Sequence, residues 1–105
     1  MRRVDPRWLV AAGAVALFVL LCATLTSAWE GKAEVSDVPH YEVLGALIES
    51  GRVPYRDVRI EYPPGALPAI VIPALVSQSS RSYARAFAAG MLLCGIATIL
   101  LAAVA

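Results

Sequence analysis

The chain has 105 residues, 59% hydrophobic and 16% charged, with a formal charge of +1. That apolar share exceeds the roughly 45–50% of ordinary soluble domains, and it falls in long uninterrupted runs that point to lipid as the solvent. The near-neutral balance excludes a nucleic-acid footprint, which needs a basic stripe, and neither a Walker-type glycine loop nor a paired CxxC occurs.

Residues 1–7 carry Arg2, Arg3 and Arg7, and the positive-inside rule places them in the cytoplasm. Trp8 to Trp29 follows without a single charge, and its length matches the ~20 residues that span ~30 Å of hydrocarbon. A tryptophan closes each end, where amphipathic rings favour headgroup depth. A cleaved signal peptide is the competing reading, with Thr26-Ser27-Ala28 as its small-residue site. The apolar stretch is too long for an ordinary signal core, and more apolar runs follow, so a retained helix over 8–29 is expected.

Residues 30–62 form the polar segment. Seven acids against four bases leave it at −3, and the positive-inside rule leaves it outside. Ser36-Asp37-Val38-Pro39 reads as a helix start, because Ser36 or Asp37 can cap and Pro39 suits the first turn. Tyr41, Leu44 and Ile48, with Leu47 beside them, recur at helical spacing, and Gly51 supplies the stop. The spacing predicts a helix over about 39–50 that is too short to span and amphipathic enough to lie along the membrane surface. Arg52 to Tyr62 changes period: Val58, Ile60 and Tyr62 alternate with Asp57, Arg59 and Glu61, the two-residue period of an extended segment. Pro63-Pro64 ends it.

The run over 63–77 is apolar but short, and Pro68 and Pro73 interrupt it. A thin kinked span or a re-entrant segment fits, and the span is the expectation. Residues 78–85 carry Arg81 and Arg85 with no acid, which suits a cytoplasmic turn. Residues 86–105 make a third apolar run, with Ala86, Gly90 and Gly95 as gaps for close helix packing. Because that run ends flush with hydrocarbon, further helices are expected to follow in a longer protein. Cys22 and Cys94 sit inside apolar runs, about 21 Å and 12 Å from the inner ends of their helices, so both read as small packing residues. The expected fold class is therefore an all-α membrane protein with about three spans and one outer loop.

Three strings carry more than topology: Ser36-Asp37-Val38-Pro39-His40-Tyr41, Gly51-Arg52-Val53-Pro54-Tyr55-Arg56-Asp57, and Glu61-Tyr62-Pro63-Pro64. In this order, between apolar runs, they resemble the first outer loop of bacterial GT-C glycosyltransferases over residues 8–76. The resemblance implies the N-terminal piece of a GT-C helical bundle in the bacterial plasma membrane. It implies an inverting, mannosyltransferase-like enzyme of the cell envelope. Such an enzyme moves a sugar from a polyprenyl-phosphate donor to the hydroxyl of a glycan or lipid acceptor. It assigns Asp37 as catalytic base, since a positioned carboxylate accepts the proton of an attacking hydroxyl. Arg56 and Arg59 are candidates for the donor phosphate, because guanidinium groups match phosphate oxygens. His40, Tyr41, Asp57, Glu61 and Tyr62 are supporting candidates. No cofactor is implied, and a divalent cation is left open.

Plainer roles stand beside these. Asp37 suits a helix cap, and Arg56, Asp57, Arg59 and Glu61 suit a solvated salt-bridge face. His40, one turn after Asp37, suits either a metal site or a simple surface position. Glu30 and Glu34 are reserve acids outside the motif. Tyr62-Pro63-Pro64 suits a structural turn, and Tyr41 and Tyr55 suit interface anchors. The rival class is a small non-enzymatic membrane protein whose outer loop binds a partner.

Overall fold

The computed structural model describes residues 2–29 and 36–105, the side chains of 26–29 excepted. Among the described residues four α-helices follow one another: α1 (Pro6–Trp29), α2 (Val38–Glu49), α3 (Leu67–Val76) and α4 (Ser80–Val104). Two of them, α1 and α4, are long and apolar enough to cross a membrane, each with a window of mean hydropathy 2.4. Only 6% and 0% of those windows are buried within the protein. A core helix of a water-soluble domain would be covered on most sides, so the apolar surfaces of α1 and α4 suit lipid.

The third span expected over 63–77 is absent from that pair. There, a 3-10 turn (Pro64–Ala66) leads into α3 of 10 residues. At ~1.5 Å per residue α3 reaches about 15 Å, half of the hydrocarbon thickness. Pro68 sits in its first turn and Pro73 in its interior, so the short length follows from the sequence itself.

The chain forms two compact units, residues 1–31 with 91–105, and residues 32–90. In the first, α1 starts at Pro6 with Asp5 accepting the Arg7 backbone N–H at 3.1 Å. Gly95 of α4 leaves room for the ring of Phe18, which would meet any added Cβ. Gly90 faces open space. Of the two glycines expected as packing gaps, Gly95 is the one that is filled.

The second unit is built on α2 against α3. α2 follows the expected 39–50 closely, and its apolar face is the expected one: Leu44 is buried, Tyr41 and Ile48 half-buried, Leu47 more open. That face packs on α3. The glycine stop at 51 is a Schellman arrangement, in which Gly51 (φ +99°) donates to the Ile48 carbonyl at 3.0 Å and Arg52 to the Leu47 carbonyl at 3.2 Å. Gly45 makes the closest approach: a Cβ there would stand 2.9 Å from the Ile70 carbonyl oxygen and 3.0 Å from the Ala74 methyl.

α4 begins at Ser80, six residues before the expected 86. Ser79 and Ser82 explain this with a reciprocal capping box. Ser79 Oγ accepts the Ser82 N–H at 3.1 Å, and Ser82 Oγ accepts the Ser79 N–H at 3.0 Å. The added turns place Tyr83 and Phe87 on one face. Tyr83, 1% exposed, donates its hydroxyl to the Ile70 carbonyl at 2.8 Å.

Gly45→Ala is expected to lower the thermal midpoint of helix loss in detergent, read by circular dichroism. Overpacking against a backbone carbonyl costs ~1–3 kcal/mol, more than the ~1 kcal/mol of helix propensity that alanine adds. Gly90→Ala, with open space around it, is the control expected to hold or raise the midpoint. A midpoint for Gly45→Ala at or above that of the parent would refute the close approach.

Candidate functional site

The segment Val53–Val58 departs from the extended reading. Tyr55 has φ 67°, the left-handed region that a bulky side chain rarely occupies. Its N–H donates to the Val58 carbonyl at 3.1 Å, and the Asp57 N–H donates to the Val53 carbonyl at 2.9 Å. The chain here folds into a tight turn. Beyond it the expected alternation returns, with Val58, Ile60 and Tyr62 half-buried and Arg59 and Glu61 exposed.

Asp57 organises that turn. Its carboxylate accepts the Val53 N–H at 2.9 Å and a two-pronged bond from Arg56, Nε to Oδ1 at 2.9 Å and Nη2 to Oδ2 at 3.0 Å. Arg56, and then the Val53 amide, hold the Asp57 carboxyl below the ordinary carboxylate range, while Asp57 raises the Arg56 guanidinium. The pair is open to solvent. Its role is local geometry, since exposed ion pairs contribute little to stability. The fork proposed for a phosphate is thus occupied at Arg56, while Arg59 stands exposed.

Tyr62 is where the motif residues meet. Its carbonyl accepts the Tyr55 hydroxyl at 2.6 Å. Its ring lies 5.4 Å from that of Tyr41 in an edge-on arrangement, and 6.4 Å from that of His40. Burial, then the neighbouring Tyr41 phenol, then the negative charges of Asp37 and Glu61 push the Tyr62 phenol above its ordinary value. It therefore stays neutral across the physiological range. Tyr41 also packs on Phe87 at 5.3 Å, and Phe87 stacks with Tyr83 at 6.4 Å. Such aromatic pairs contribute ~0.5–1.5 kcal/mol each beyond the area they bury.

Asp37 stands at the head of α2, and its side chain makes no capping bond. The capping role falls instead to Ser36, whose Oγ accepts the Val38 N–H at 3.3 Å. Asp37 is exposed, and its backbone carbonyl accepts the Tyr41 N–H at 3.0 Å. Glu30 and Glu34 lie outside the described residues. Among the described residues no three His, Cys, Asp or Glu side chains converge as a metal would need. Sequence reasoning missed Tyr83, Phe87 and Gly45. The Tyr83-x-x-x-Phe87 spacing was a legible helical signal; the closeness of Gly45 to α3 has no signature in α2 alone. Comparison with known protein families, curated proteins and solved structures finds no match to this chain.

The sign of the Asp57 shift fixes a pH dependence. A carboxyl held low supports the fold fully above the ordinary carboxylate range and loses that support as pH falls through its lowered value. The Val53 amide, which donates to Asp57, is expected to shift in NMR spectra with a midpoint below that of an unperturbed aspartate. Asp57→Asn is expected to abolish the transition. A midpoint at the ordinary value would contradict the Arg56 and Val53 contacts.

Proposed function

We propose that this chain is the N-terminal part of an inverting membrane glycosyltransferase that uses a polyprenyl-phosphate sugar. One observation supports it above others: residues of the separate motifs, His40, Tyr41 and Tyr55, gather around Tyr62, and Asp37 lies one turn before His40 and Tyr41 at the head of the same helix. Asp37 has no capping bond, so its carboxylate is available as a base.

In the proposed reaction the acceptor hydroxyl loses its proton to Asp37 as its oxygen attacks the anomeric carbon. The bond from that carbon to the phosphate oxygen breaks, polyprenyl phosphate leaves, and a single displacement inverts the centre. Arg59 meets the phosphate charge. Arg56 joins only by exchanging Asp57 for the ligand.

The proposed topology has two crossings, α1 and α4, with residues 36–79 on the outer side and the N-terminus in the cytoplasm of a bacterial plasma membrane. Two observations support it. α3 is too short to cross. Adjacent residues of α2 also reach both of its flanks, Tyr41 meeting Tyr62 and Glu42 Oε1 accepting from Ser80 Oγ at 2.9 Å. The three N-terminal arginines orient the first span.

Asp37→Asn in the complete longer protein is expected to lower transfer from a lipid-linked sugar by about 10²-fold or more, the scale of a lost general base. Near-normal transfer would end the base assignment. For topology, single cysteines at Arg52 and Gln78, with Cys22 and Cys94 replaced by alanine, are both expected to react with an impermeant reagent on intact cells. Reaction at 52 with protection at 78 would restore a third crossing.

A further inference from the structure

We propose that Arg81 and Arg85 form a clamp for the headgroup phosphate of an anionic membrane phospholipid. The argument begins with Tyr83, whose burial and bond to the Ile70 carbonyl fix the rotation of α4 about its axis. At ~100° per residue, Arg81 and Arg85 each lie about 160° from Tyr83, about 40° from one another and about 6 Å apart along the helix. Phe87 and Ser80, by the same count, fall within about 60° of Tyr83. Both make the contacts that this requires, Phe87 with Tyr41 and Tyr83, and Ser80 with Glu42. The two arginines therefore turn away from α2 and α3, and both are exposed.

Among the described residues, neither Arg81 nor Arg85 has an ion-pair partner. The ion pairs among the described residues are Arg7 with Asp5 and Arg56 with Asp57. Two acids of the unit, Glu42 and Glu49, line a notch with Ser79 and Tyr83, on the opposite side of α4 from the two arginines. Below Arg85 the same face continues as Ala88 and Ala89, both exposed, and the apolar run to residue 105 begins at Ala86. Two guanidinium groups one turn apart at the head of a spanning helix stand at phosphate depth, with acyl chains beside the alanines. Guanidinium forks match phosphate oxygens in pairs of parallel bonds. The clamp needs α4 in the bilayer but does not depend on glycosyl transfer.

Native mass spectrometry of the detergent-purified chain, titrated with phosphatidylglycerol or phosphatidylcholine, tests it. Phosphatidylglycerol adducts are expected in excess. That excess should fall by about fivefold in Arg81→Gln or Arg85→Gln and by about 25-fold in the double variant, as ~1 kcal/mol per arginine implies. Arg81→Lys/Arg85→Lys keeps the charge and breaks the forks, so a partial loss is expected. Arg52→Gln should leave the excess intact. An unchanged excess in the double variant, or an equal fall in Arg52→Gln, would overturn the clamp. Adducts with polyprenyl phosphate but none with phosphatidylglycerol would overturn the bulk-lipid assignment.

Discussion

A phenol with 1% exposure has to find an acceptor, and Tyr83 finds the Ile70 carbonyl in the middle of α3. An unpaired buried hydroxyl would cost ~1–3 kcal/mol, more than one made bond contributes. That asymmetry holds α4 in one rotational register. The same carbonyl faces Gly45 across the α2–α3 contact, so one oxygen sets how near α2 comes and which face of α4 turns inward. Pro73 lies three residues on and leaves the Ala69 carbonyl without its helical donor. The Ile70 carbonyl, next to that freed group, is where both neighbours take hold.

From that register the aromatic chain follows. Tyr83 stacks with Phe87, Phe87 meets Tyr41, and Tyr41 meets Tyr62. Residues from α2, from the segment before α3 and from the start of α4 share one cluster, although 21 residues separate Tyr41 from Tyr62. The meeting of Tyr41 with Tyr62 is a result of helix packing more than of the local motif.

Much of this was legible in the residues. The apolar lengths of α1 and α4, the apolar face of α2 and the Gly51 stop all rest on periodicity and chain stiffness, which are local. The shortness of α3 was written in Pro68 and Pro73, and its apolar content, which carried the expectation of a span, is seen as a short apolar helix. The early start of α4 was missed because Arg81 and Arg85 drew the eye to charge, while Ser79 and Ser82 carried the capping information. At the site, alternation from residue 58 onward was sound. Residues 53–57 were misread because no periodicity encodes a left-handed tyrosine, and only the pairing of Asp57 with Val53 and Arg56 reveals the turn. Which of the motif tyrosines meet was beyond sequence reasoning altogether, since it depends on the α2–α3 crossing.

The bond from Tyr55 to the carbonyl of residue 62 has an uneven consequence for tolerance to substitution. Its acceptor is main chain, so any side chain at 62 preserves the latch, whereas losing a single oxygen at 55 releases it. Glycine at 55 would suit the backbone angle better and still fail, having nothing to reach with. Drift in this loop is accordingly constrained more tightly at its strained corner than at the residue it grips.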